Sequence, residues 1–300
     1  MVLILDLDVK ETYGLDEYVA YVEDNVDLRD FDSLAESSPA LRALANDRSF
    51  LLDYYYDELK ALYDGRSPNM LTPQSVVLRR KRAFFIRANI WLPPNADVAH
   101  RESEKKLYAY DLPHDHNFDF ITVGYAGKGY LTDLYRYDIG KVVGHIGERV
   151  DLEELGQERL GPGRVMAYKS NRDIHTQFEP EEISVSINLI PVHDRLVTAP
   201  QFVFDPVRSV IAGGVSDQVG SRLFLLDFFR HIHNAETLEL IETISLRHPC
   251  PRTRGQALNV LETIDPDEGE RYRARVAPEA IVYSRPDLVH AGHARQKDLG

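Results

Sequence analysis

The sequence predicts a mainly β protein with helical additions: a barrel or sandwich of short strands flanked by N-terminal and C-terminal helices. Three observations carry this. From Gln74 to about Asp205 the chain is a series of short β-rich runs broken by Gly and Pro turns. No helical pattern separates those runs, which argues against an alternating parallel-sheet architecture. On either side, apolar residues recur at helical spacing.

The expected organisation is a helical segment over 1–70, a β-barrel over 71–206, a helical segment over 207–267 and a surface tail over 268–300. In the first segment, Val2 to Leu5 reads as a short strand. Leu15 to Val26 reads as a helix, and Ser38-Pro39 opens another with proline at its first position. Arg48 to Tyr63 is the clearest helix, with Leu51, Tyr55, Leu59 and Leu62 as its stripe. GRSPNMLTP, from Gly65 to Pro73, is a turn-rich linker. In the C-terminal segment SRLFLLDFFRHI, ETLELIETISLR and TRGQALNVLETI are amphipathic. Ala257, Val260, Leu261 and Ile264 form an i, i+3, i+4, i+7 stripe. These helices read as a cap on the barrel or a homodimer contact.

Composition excludes several function classes. Of 300 residues, 43% are hydrophobic and 28% charged, as in ordinary globular chains. The formal net charge of −13 argues against nucleic acid or an anionic membrane as partner. Cys250 is the single cysteine, so no intrachain disulfide forms, and the expected compartment is the cytoplasm. The apolar run at the start, MVLIL, is too short for a signal peptide or a membrane span.

The chemistry concentrates in PHDHNFDFITVGYAGKGY, from Pro113 to Tyr130. His114 and His116 are two apart at the head of a β-like run, and on an extended strand such residues share a face. His175 follows a Pro-Gly turn and another apolar strand. Three imidazoles make a facial set of neutral nitrogen ligands with open positions left for a substrate. That set suits iron(II), zinc, nickel, manganese or copper. His231 and His233 also read H-x-H, but at a helix end, where residues two apart do not face each other. His145 and His193 sit in loops and have no assigned role.

RAFFIRANIWLP places Phe85, Arg87, Asn89 and Trp91 on one face of a strand and Phe84, Ile86, Ala88 and Ile90 on the other. The face with Arg87 and Asn89 either lines a cavity or meets solvent. The same pair of alternatives holds for Ser184, Ser186 and Asn188, which alternate with Val185, Ile187 and Leu189. Asp115 or Asp119 is expected behind the ligands, holding an imidazole N–H. One of Tyr125, Tyr130, Tyr135 and Tyr137 is a candidate active-site phenol; strand packing is the plainer reading for all of them.

From Arg87 to about Phe204 the chain resembles a cupin, and among cupins the cysteine dioxygenase-type enzymes. The resemblance rests on the HDH pair, the apolar strand ending in Gly127, His175 as third histidine, and SVSINL (Ser184–Leu189) followed by Pro191. It implies a double-stranded β-helix and an iron(II) site on His114, His116 and His175. It further implies dioxygen and a small carboxylate-bearing molecule as substrates, the carboxylate paired by Arg87. Asn89, Ser186 and Asn188 then hydrogen-bond the substrate. The sequence departs from the family where a Ser-x-His-x-Tyr run is expected: it has Ser186, Asn188 and Ile190. The crosslinking cysteine of that family falls at about Ile121. The metal cage is kept and the thiol-specific surroundings are lost. A non-redox cupin, serving as a binding or sensing module, an isomerase or a hydrolase, is the alternative.

Overall fold

The structure, a computed structural model, describes residues 2–67, 70–72, 74–193, 198–214 and 218–284. It divides into two compact units, residues 1–137 with 153–193, and residues 138–152 with 194–300.

In chain order the first unit contains β1 (Leu3–Asp6), α1 (Leu15–Asn25), α2 (Phe31–Glu36), α3 (Ser38–Leu44), α4 (Phe50–Tyr63), β2 (Met70–Thr72), β3 (Ser75–Arg80) and β4 (Phe84–Trp91). Then come α5 (Val98–Tyr108), β5 (Phe120–Ala126), β6 (Tyr130–Arg136), β7 (Glu153–Leu160), β8 (Arg164–Tyr168), β9 (Asp173–Gln177) and β10 (Ser184–Pro191). Seven strands form one antiparallel sheet in the order β1-β8-β5-β10-β4-β3-β2; a smaller sheet runs β7-β6-β9.

Strand periodicity assigns the two faces of the large sheet. Phe84, Ile86, Ala88, Ile121, Val123, Val165, Ala167, Ile187 and Leu189 pack against Tyr18, Val22, Leu34, Leu41, Leu44 and Leu51 of the N-terminal helices. On the other face Trp91, Phe120, Met166, Tyr168 and Ile190 meet Tyr130, Leu134 and Leu160 from the smaller sheet. β4 and β10 are therefore covered on both sides, which explains their nearly unbroken apolar texture. Each fully buried Val, Leu, Ile, Phe or Met among them contributes about 1.5–3 kcal/mol of burial. The face carrying Arg87 and Asn89 is the inward one. Gly124 in β5 has to be glycine, because a Cβ there would collide with the Gly161 carbonyl.

The expected stripe of α4 holds only in part. Leu51 is buried, whereas Leu59 and Leu62 are 63% and 46% exposed. The helix packs through its first two turns, with Phe50, Leu51, Tyr54 and Tyr55. The β region is also not free of helices, since α5 lies between β4 and β5. It buries no residue, so it carries no apolar stripe to detect. Asp97 caps it by accepting from the His100 N–H, and Ala109 ends it at φ 55°. The acidic stretch DLEELGQE contains most of β7. This outer strand of the smaller sheet is charged and exposed, with Arg136 gripping Glu153 through two bonds of 2.7 and 2.8 Å. The described pairing is that of two facing sheets.

The second unit holds a 3-10 turn (Ile139–Lys141), β11 (Phe202–Asp205), β12 (Val210–Gly214), α6 (Gln218–Phe228), α7 (Ala235–Arg247), α8 (Pro251–Ile264), α9 (Gly269–Arg275) and α10 (Pro278–Ile281). Ala257, Val260 and Leu261 sit at its centre with Leu226 and Ile241, and Ile264 packs beside them. The segment expected as a surface tail folds in part: Val276 and Ala280 pack on Leu258. Its end, 285–300, lies outside the described residues. Among the described residues no helix is long and apolar enough to cross a membrane.

Candidate metal centre

His175 lies in β9, next to Leu134 of β6 across the smaller sheet. His114 and His116 precede β5, which begins only at Phe120; they lie in an extended loop, not in the strand the sequence suggested. The loop still behaves as an irregular fourth strand. Asp111 N–H donates to the Gln177 carbonyl, His114 and His175 exchange backbone bonds of 3.1 and 3.0 Å, and Asn171 N–H donates to the His116 carbonyl. That pairing sets the side chains of His114 and His175 directly opposite one another.

The three side chains converge. Nε2 of His175 lies 3.1 Å from Nε2 of His116 and 3.2 Å from Nε2 of His114. Three nitrogens about 2.1 Å from one ion would be ~3.0 Å apart at right angles and ~3.4 Å apart in a tetrahedron. The observed spacings fall between those limits. Among the described residues these are the His, Cys, Asp or Glu side chains grouped closely enough to hold an ion. They are a candidate metal centre.

Burial lowers all three imidazoles below the usual histidine range, and Arg87 lowers each further by repulsion. They are therefore neutral, as ligation requires. Imidazoles held below 6.5 when folded take up protons on unfolding, so their contribution is present above about pH 6.5 and lost as pH falls through the folded values. Urea midpoints of metal-free protein are expected to fall as pH drops from 7.5 to 5. A flat profile would contradict this burial.

His114 Nδ1 is 2.8 Å from the Leu112 carbonyl, so its N–H donates there and Nε2 keeps its lone pair for a metal. Phe118 stacks on His116 at 4.6 Å, and Tyr168 lies 4.9 Å from His175. Asp115 accepts from the Tyr137 hydroxyl at 2.6 Å and from Asn171 at 3.2 Å, and Asp119 accepts from the Ser170 N–H at 2.7 Å. Both pin the ligand loop to the turn before β9; the N–H of His114 goes to a backbone carbonyl. Burial, then Asp115, pushes the Tyr137 hydroxyl far up, so it stays protonated and keeps donating.

Arg87 projects from β4 into the same interior. Its Nε is enclosed and has no hydrogen-bond partner, and burial brings its pKa down to about 10, against an opposing attraction from Tyr130. Among the described residues it forms no ion pair. Asn188 is its cross-strand neighbour in β10, and Ser186 pairs with Asn89. This polar row is already linked: Thr122 donates to Asn188 at 2.8 Å, Trp91 donates to Ser186 at 3.0 Å, and Ser75 donates to Asn89.

Among the tyrosines, Tyr125 belongs to the helix-facing core with Phe50, and Tyr137 serves Asp115. Tyr130 lines the inner face and Tyr168, which the sequence had not singled out, flanks His175. Ile121 points into the helix-facing core, away from the histidines. Gln177 was also missed. Two residues beyond His175 on β9, it shares that strand face, and its carboxamide nitrogen is 3.0 Å from Nδ1 and 3.2 Å from Nε2 of His175. Its i+2 position was the available signal. His145 belongs to the second unit, 3.3 Å from Glu148, and His233 bonds the Phe229 carbonyl.

No protein-family model matches the sequence, and no curated protein matches it. Parts of the chain are similar to solved structures. A DMSP lyase from Ruegeria pomeroyi overlays at 14% identity and TM-score 0.23, covering 38% of this chain and 41% of that one. A hydroquinone 1,2-dioxygenase from Sphingomonas gives 10% and 0.27 over 41% and 68%, and a sugar phosphate isomerase of a cupin superfamily from Silicibacter pomeroyi 14% and 0.26 over 49% and 71%. The chain thus spans less than half of the lyase. Overlays this shallow carry no weight for function, which rests on the site itself.

Proposed function

We propose that the protein is a metal-dependent cupin with one mononuclear metal, iron(II), on His114, His116 and His175, oxidising a small carboxylate-bearing substrate with dioxygen. The observation behind this reading is the convergence of His114 and His116 Nε2 on that of His175, at 3.2 and 3.1 Å, beside a guanidinium without an ion-pair partner among the described residues. When bound, iron(II) supplies dioxygen chemistry at positions the three nitrogens leave open. The chain's own residues bind and orient. Arg87, whose Nε lacks a partner, takes the carboxylate in a two-pronged pair. Asn89, Ser186 and Asn188, on the same face, complete the substrate's hydrogen bonds. The aromatic wall of Trp91, Phe120, Tyr130 and Tyr168 keeps water out, which strengthens each polar contact within.

Asn188 and Ile190 stand where thiol dioxygenases carry a histidine and a tyrosine. This favours a substrate other than cysteine, and it keeps a non-redox binding or sensing cupin as the second reading. Anaerobic loading with iron(II), then oxygen uptake on a panel of small thiols, amino acids and other carboxylates, tests both. One iron per chain with uptake on a carboxylate is the expected result. Zinc or nickel retained without oxygen consumption supports the second reading, and failure to hold any metal ends both.

A further inference from the structure

Helix α4 carries two apolar stripes. One, with Phe50, Leu51, Tyr54 and Tyr55, packs into the core beneath the N-terminal helices. The other, Leu52, Tyr56, Leu59 and Tyr63, is 59–92% exposed. Its spacing is four, three, four, the repeat by which two helices interlock side by side. With Leu62, 46% exposed, this ridge opens on the order of 500 Å2 of apolar surface, at the upper end of what a monomer shows.

The order of residues along the ridge says what fits it. Leucine and tyrosine alternate, and the four positions are symmetric about the point between Asp57 and Glu58. A second α4 laid antiparallel sets Leu52 against the partner's Tyr63 and Tyr56 against the partner's Leu59. Each of the four layers then holds one leucine and one tyrosine, whereas parallel pairing would stack tyrosine on tyrosine and leucine on leucine. The flanks agree. On one side the antiparallel copy brings Asp53 to the partner's Lys60, twice by symmetry; on the other it brings Leu62 to the partner's Tyr55. Asp53 is exposed and forms no ion pair among the described residues. Lys60 already lies along the ridge, its Nζ 4.2 Å from the Tyr56 ring centroid and 3.2 Å from Asp57. Two such ridges together bury on the order of 1,000 Å2, near the lower bound for a specific interface.

We propose that α4 is a self-association surface: two copies of this chain pair through their α4 helices, antiparallel across a two-fold axis, with Tyr56 and Leu59 of each at the centre. The inference is independent of the metal reading.

Sedimentation velocity of the full chain between ~1 and ~100 μM tests this, with a monomer–dimer equilibrium of Kd on the order of 10 μM expected. Leu59→Glu puts a charge at the centre of the seam and should leave the chain monomeric throughout, with its circular dichroism unchanged. Asp53→Lys and Lys60→Glu each turn two attractions into two repulsions and should weaken association about 10-fold. The double exchange Asp53→Lys/Lys60→Glu restores the pairing with its signs reversed and should return Kd to within ~3-fold of the unaltered protein. An unaltered chain that stays monomeric overturns the inference. So does a dimer that survives Leu59→Glu, since it would use another surface. A double exchange no better than the single changes also overturns it, since α4 would then meet something other than itself.

Discussion

Replacing His175 with alanine is expected to reduce bound metal from one ion per chain to a trace after dialysis against a weak chelator. His175 Nε2 makes both of the short contacts that define the cluster, 3.1 Å to His116 and 3.2 Å to His114. Removing it leaves two imidazoles and no third nitrogen donor from this set. A four-ligand site worth about 10–16 kcal/mol assigns each ligand ~2.5–4 kcal/mol, on the order of 10² in affinity. The backbone pairing that holds the loop against β9 uses the main-chain groups of His114 and His175, so it survives the substitution. Metal per chain by elemental analysis, with circular dichroism to confirm the fold, checks this. His233→Ala, at an exposed helix end, is the matched control and should retain the ion. Full metal content in His175→Ala would remove the basis of the proposed function.

Arg87→Met is expected to leave the protein as stable as before, or more so, while raising the KM for a carboxylate substrate ~30-fold or more. The two effects have one cause. The guanidinium is largely withdrawn from water, its Nε is unpartnered, and among the described residues no carboxylate neutralises it. A desolvated, unpaired charge is a cost to the folded state, and a thioether of similar length relieves it. The same charge is what a substrate carboxylate would meet, and truncating one partner of a desolvated pair costs about 2–5 kcal/mol in binding. Arg87→Lys keeps the charge without the planar fork and should fall between the two. The Arg87 charge also opposes protonation of all three histidines, so its removal should not weaken metal binding. Thermal midpoint, metal content and initial rates separate these expectations. A large loss of stability in Arg87→Met with an unaltered KM would make Arg87 a structural residue.

Local sequence carries the parts of the site that obey a period. The i, i+2 spacing of His114 and His116 held even though the pair lies in a loop, because the loop is extended and pairs with β9. Phe85, Arg87, Asn89 and Trp91 do share a face. Pattern alone left open whether that face was wet or enclosed, because alternation separates two faces without saying what covers either. The smaller sheet covers one and the N-terminal helices the other. α5 was missed because it is polar and lies at the surface; like β7, it is defined by tertiary pairing and capping where an apolar repeat does not mark it.

The sequence by itself determined which residues bring chemistry: three histidines of ligand type, an arginine and polar residues at strand spacing, and a long antiparallel β region bounded by helices. Only the tertiary structure decided that the three imidazoles meet, that Asp115 and Asp119 brace the ligand loop, and that Gln177 faces His175. Those outcomes depend on which strands become neighbours. A pairing such as His114 with His175, 61 residues apart, is selected by burying both faces of one sheet at once, and no local period encodes it.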